Sequence, residues 1–228
     1  MSLNGLQLSF LGVSSAGHFV SVQNRTMRKP TAADLFSASQ PPAGEPPVRW
    51  RGLPPVASVQ TVVLVLGSFP GAASLRAGQY YAHPQNHFWK ILQALWPQHP
   101  LPAAGADGCA YAARCDWLLA RGLGLWDVYE SCERAGSLDT NIRHARLNDF
   151  ARLHGRCPRL AALAHNGAES FKHAPAVLNS LRVPGALLGE ALPIEAVRLP
   201  STSPANASWS FDRKLTAWAT LVSAHGLL

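Results

Sequence analysis

The chain has little charge and less sulfur. Only 14% of its 228 residues are Asp, Glu, Lys or Arg, and it holds two methionines and four cysteines. Those cysteines, Cys109, Cys115, Cys132 and Cys157, form no C-x-x-C pair. The spacing that zinc sites and iron–sulfur clusters use is therefore missing, and no metal or cofactor is expected. Reduced thiols in a cytoplasmic protein are the plain reading. No apolar run approaches the roughly 20 residues that a membrane helix needs. A short apolar patch at residues 8–13 has no basic leader before it and matches a signal peptide poorly. No internal repeat is visible.

What remains is an ordinary apolar budget with a basic bias. The chain is 47% hydrophobic with a mean hydropathy of +0.02, enough for a substantial core. Twenty Lys and Arg stand against 13 Asp and Glu, giving +7 and a pI near 9.7. A basic surface leans toward a phosphate-bearing partner, although basicity alone is a weak signal. The length suits one domain with an appendage. Residues 1–58, with PPAGEPP and LPPV and no sustained periodicity, read as a flexible or loosely attached leader; residues 59–228 carry the domain.

That domain is organised around residues 62–89, VVLVLGSFPGAASLRAGQYYAHPQNHFW. The apolar run 61–66 is too short for a helix and reads as a strand buried on both faces, as in a parallel sheet. Gly67, Pro70 and Gly71 end it. Residues 79–86 follow as a polar and aromatic loop. Phe88, Ile91, Leu92 and Leu95 then recur at helical spacing over 87–96. Further helices are expected at 111–121, 147–154, 168–181 and 209–224, with strands at 123–129, 160–164 and 194–199. This alternation predicts an α/β fold, three layers α/β/α around a four-stranded parallel sheet. Polar segments GSFPG, WDVYES, HNG and PSTSPAN fall where strands end, which is where ligands bind in open α/β sheets.

The segments GSFPG and LPSTSPAN resemble the paired motifs of the uracil-DNA glycosylase superfamily. YAHPQNHFW resembles the segment following the first motif in the mismatch-specific enzymes. WDVYESCERAGSLDTNIR and the HNG turn extend the likeness, which is closest to the DNA-deoxyinosine (hypoxanthine-DNA) glycosylase branch and covers residues 61–225. Two positions depart from it. Phe69 stands where mismatch-specific enzymes carry an asparagine, and Leu199 where many relatives carry histidine or asparagine before the Pro-Ser.

The resemblance implies a monofunctional glycosylase that removes a deaminated base, hypoxanthine first and uracil second, by base flipping and water attack at C1′. It implies Asn86 as the catalytic amide. A carboxamide can orient water with its oxygen and donate with its nitrogen; spacing alone favours a helix cap at this place, and the resemblance reverses that order. Tyr81 matches the aromatic that stacks on a flipped base, whereas Tyr80 reads as core. Phe69, Ser68 and Asn166 are expected around the base, with Asp127 also on the rim. Ser201, Thr202, Ser203 and Arg143 are expected on DNA, where hydroxyls and cations meet phosphates. The implied partner is double- or single-stranded DNA with a deaminated base, approached by a monomer that touches no membrane. A Schiff-base route is disfavoured because lysines are few: within the domain, Lys90, Lys172 and Lys214. Two other classes stay open. A non-catalytic DNA- or nucleotide-binding module would explain the apolar Phe69 and Leu199. A serine hydrolase would need a G-x-S-x-G elbow, which is absent.

Overall fold

The structure, a computed structural model, describes residues 48–103, 108–181 and 194–228. Its centre is β2, Val63–Gly67, whose five residues are all buried. Strands β3 (Leu123–Asp127), β6 (Ala162–Asn166) and β7 (Glu195–Leu199) join it in a parallel sheet of order β3-β2-β6-β7. Alternate side chains of these strands point to opposite faces, and each face has its own apolar layer.

One layer unites Val63, Val65, Leu123, Leu125, Ala162 and Ala164 with helices α2 (Phe88–Leu95), α3 (Gly108–Leu119) and α7 (Phe211–Ala224). Its anchors Phe88, Ile91, Leu92, Leu118 and Trp218 are almost wholly buried. The other layer sets Leu64, Leu66, Trp126 and Leu163 against Phe150, Leu153, Val177 and Leu181 of α4 (Ala151–His154), α6 (Ala174–Leu181) and the turn before α4. Burying each such side chain stabilises the fold by about 1.5–3 kcal/mol before chain entropy is counted. The three-layer α/β/α architecture with a four-stranded parallel sheet is the one expected.

A second sheet was not expected. Strands β1 (Arg49–Arg51), β4 (Tyr129–Glu133) and β5 (Arg143–Leu147) form an antiparallel trio in the order β1-β4-β5. Strand β1 and the Val56–Leu125 bridge lie before the expected boundary at residue 58. Residues 1–47 of the expected leader lie outside the described residues. Helix α1 (Ala72–Ala77), not expected, lies between the end of β2 and the loop expected at 79–86, and the helix expected at 168–181 is broken into α5 (Ala168–Phe171) and α6.

The chain leaves β2 toward β3 on one side and returns to β6 on the other. That reversal opens a crevice at the strands' carboxyl ends. Gly67, Asp127, Asn166 and Leu199 are the last residues of the four strands, so the segments GSFPG, WDVYES, HNG and PSTSPAN share one rim.

Candidate active site

The serine loop and the start of α2 are joined directly. The His87 N–H donates to Thr202 O at 3.0 Å. Thr202 is fully buried, and Asn166 grips it twice: Asn166 Nδ2 donates to Thr202 Oγ1, and Thr202 N–H donates to Asn166 Oδ1, both at 2.9 Å. Gly167 makes this approach feasible. Its φ is +119°, and a Cβ there would stand 3.1 Å from Ser201 Cβ. Beyond Thr202 the loop braces itself, with Asn206 Nδ2 donating to Ser201 O and Ala205 N–H to Ser203 Oγ. Lys214, almost wholly buried, donates from Nζ to Asn206 O at 3.0 Å.

Asn86 is half-buried. Its Oδ1 accepts from the Phe88 N–H at 2.9 Å, an Asx turn that opens α2. The oxygen thus serves the turn that leads into α2, whose N-cap residue is His87, while its second lone pair and the amide donors keep further hydrogen-bonding capacity. Gln85 and His87, on either side, line an open cleft of about 440 Å³ with Lys90, Asn206, Trp209 and Lys214. Both lysines make this a place for negative charge, and the N-terminus of α2 adds to it.

Tyr81 is held in a left-handed backbone conformation, φ 56°, unusual for an aromatic residue. Its ring stacks on Phe88 with centroids 4.0 Å apart. The Tyr81 hydroxyl is buried and has no partner of hydrogen-bonding geometry among the described residues, although Asn166 lies within electrostatic reach. Burial, with the Asp127 charge adding to it, raises its pKa far above the ordinary phenol value. Tyr80 is core, as expected: 3% exposed, with its hydroxyl on Leu53 O.

The remaining expected residues divide. Ser68 donates to Asp139 Oδ1 at 2.7 Å and so fixes the first-motif loop. Phe69 turns into the apolar layer around Leu66 and Tyr129, with the Arg134 guanidinium 5.0 Å from its ring. It backs the loop from within the core, because a phenyl ring has nothing to gain at a polar rim. Thr202 is wholly buried, with its N–H and hydroxyl oxygen engaged by Asn166, and so does not face a phosphate. Asn166 correspondingly spends its amide oxygen and one donor on the loop. Ser201 and Ser203 are half-exposed and free of that constraint. Arg143 is exposed on β5, donating to Thr140 O and Ile142 O.

Two buried polar residues carry more weight here than their sequence neighbourhood suggests. Asp127 is 3% exposed at the end of β3, and its Oδ2 has no hydrogen-bond partner among the described residues. A Cβ on Gly67 would overlap Asp127 Oδ1 and stand 3.7 Å from the Tyr81 hydroxyl, so the carboxyl and the phenol converge on that glycine. Desolvation, helped by the Asp139 charge, pushes the Asp127 pKa up to about 8, against the pull of Arg134. His165 is wholly buried and its pKa falls to about 4 through desolvation. Ser170 Oγ donates to Leu66 O, which leaves His165 Nδ1 to donate to Ser170 Oγ at 2.8 Å. The neutral imidazole ties α5 to the central sheet.

The fold is thus a three-layer α/β/α sandwich with an amide, an aromatic and a serine loop on elements that meet at the carboxyl rim of its sheet. The sequence profile of the Uracil DNA glycosylase superfamily matches residues 54–222, and the chain belongs to that superfamily. Two relatives are called Hypoxanthine DNA glycosylase. That of Methanosarcina acetivorans is 32% identical over 164 residues, covering 72% of this chain and 92% of the relative. That of Methanosarcina barkeri is 35% identical over 130 residues, covering 56% and 77%. A solution NMR structure from M. acetivorans, described as a candidate uracil DNA glycosylase, superposes with a TM-score of 0.63 at 28% identity. It covers 78% of this chain and 99% of its own.

Proposed function

We propose that the protein is a monofunctional DNA glycosylase that removes deaminated bases, hypoxanthine foremost and uracil second, from double- or single-stranded DNA. The observation that supports this reading is the bond from His87 to Thr202, which joins the residue after Asn86 to the serine loop. Superfamily membership and the names of the two Methanosarcina relatives support it.

In this reading the target nucleotide leaves the duplex and its base enters the crevice beside Tyr81. Ser201, Ser203 and Arg143 hold flanking phosphates and fix register. Asn86 orients the water below C1′ with its free lone pair. The start of α2 and the amide donors favour the negative charge that the departing base acquires. The C1′–N bond breaks toward the base and water closes on C1′, leaving an abasic site. Two of the three described lysines are engaged away from Schiff-base chemistry, Lys214 buried on Asn206 O and Lys172 paired with Glu169, while Lys90 is exposed on the cleft. The protein works as a monomer in the cytoplasm, where its free cysteines need no partner.

Phe69 and Leu199 favour a second reading. Both are core residues, 6% and 3% exposed, so two rim positions offer no polar side chain. A binding module would retain salt-sensitive affinity for DNA without base release. Incubation with duplexes carrying deoxyinosine, deoxyuridine or deoxyxanthosine, followed by alkali, separates the two. Strand scission supports the glycosylase; binding without scission on all three supports the module.

A further inference from the structure

One oxygen of the buried Asp127 carboxyl has no hydrogen-bond partner among the described residues. A buried carboxyl normally finds donors, because an unpaired one costs free energy. Here Oδ2 has none among the described residues, and Oδ1 lies over the bare Cα of Gly67. The residue sits deeper in the rim than the half-buried Asn86, at the end of the strand next to β2. Its neighbours also include the buried hydroxyl of Tyr81. Held at the carboxyl rim of the sheet, where ligands bind in such folds, this unpaired oxygen has hydrogen-bonding capacity to offer a ligand.

We propose that Asp127 is a catalytic residue that donates a hydrogen bond to the carbonyl oxygen of the flipped base, O6 of hypoxanthine or O4 of uracil, and so stabilises the leaving base. This rests on the glycosylase reading above. As the C1′–N bond breaks, its electron pair passes to the base and spreads onto that oxygen. Water bonds to C1′, and the proton it gives up ends on the released base, so water is the sole co-reactant. A hydrogen bond to the oxygen strengthens as charge arrives, which lowers the transition state more than the ground state. Adenine and cytosine offer an amino nitrogen at that place, which does not accept, so hypoxanthine and uracil receive help that their amino parents do not.

The donor must be the neutral acid. Burial and the Asp139 charge hold the Asp127 proton on up to about pH 8. The charged or titratable groups facing it are Asp139 and Arg134 beyond β4, Tyr80 and Tyr81 of the loop, and Tyr111 of α3. Arg134 opposes the shift and Asp139 adds to it. All three phenols stay neutral through this range, since each pKa is raised. The first of these groups to ionise as pH rises past neutrality is therefore Asp127. Its carboxylate would repel the departing base.

Single-turnover release from a duplex with one deoxyinosine, measured on the full chain from about pH 5.5 to 10, tests this. The wild-type rate should fall roughly tenfold per pH unit above about pH 8. Asp127→Asn keeps a donor and the shape, so it should stay within about tenfold of wild type at neutral pH and lose the alkaline fall. Asp127→Ala should lose on the order of 10²–10³-fold. On a duplex carrying unsubstituted purine, which has no carbonyl, that loss should shrink to under about threefold. An alkaline fall retained in Asp127→Asn, or an equal Asp127→Ala loss on purine, would overturn the role of Asp127 while leaving the glycosylase standing. A folded wild-type protein that releases no base at any pH would overturn both.

Discussion

Asn166 and Thr202, 36 residues apart, hold each other through two buried hydrogen bonds of 2.9 Å. The clamp ties the end of β6 to the serine loop, and Thr202 O then receives the His87 N–H at the start of α2. Three separate stretches of chain are thereby locked into one rim.

Asn166→Ala should leave the Thr202 N–H and hydroxyl unsatisfied in a fully buried place. At roughly 1–3 kcal/mol per orphaned group, the loss of unfolding free energy should be about 2–6 kcal/mol. Urea denaturation measures it. DNA affinity should weaken in the same variant because the serine loop is released.

Gly167→Ala should also destabilise, by about 1–3 kcal/mol, since φ +119° is strained for any Cβ and Ser201 lies 3.1 Å from where it would stand. The companion change Gly136→Ala, also at positive φ but with open space around it, should cost less. Thermal melts of the two variants side by side check the difference.

Asn86→Ser separates capping from chemistry. Serine is a good cap, so stability should change by under about 1 kcal/mol. Base release should nonetheless drop on the order of 10²-fold or more, because the amide is gone. A stable variant with wild-type turnover would confine Asn86 to opening the helix.

The pH dependence of stability has a definite sign. The folded Asp127 pKa, about 8, lies above the ordinary carboxylate value. The folded state therefore binds the extra proton, and the stability associated with it is full below the unfolded pKa and is lost as pH rises through the folded one. Asp127→Asn cannot titrate, so its Tm relative to wild type should rise steadily from pH 5 to pH 8 and then level. Calorimetry at several pH values reads this, independently of any activity.

How legible the molecule was from its residues follows from where each signal lies. The runs at 62–66 and 160–164 announce strands because they are buried on both faces and contain little else. Strand β5, RHARL, is exposed along its whole length and carries two arginines and a histidine. It has no apolar alternation, so the β1-β4-β5 sheet had no sequence signature. Helix α1 has six residues, too few for periodicity to register.

The site divides in the same way. Order and spacing of the motifs pointed to Asn86, Tyr81 and the serine loop. The burial of Thr202 and the engagement of Asn166 depend on a partner distant in sequence, which spacing cannot reveal. Asp127 looks like an ordinary strand-end acid in WDVYES. Its isolation is set by Gly67, by the stacked Tyr81 and by Asp139, which only the fold brings together.

The most direct test of the central claim is release of free hypoxanthine from a deoxyinosine duplex by the purified chain. The account predicts stoichiometric hypoxanthine and an alkali-labile abasic site in the wild type, with both sharply reduced in Asn86→Ser. Tight DNA binding with neither product would contradict it.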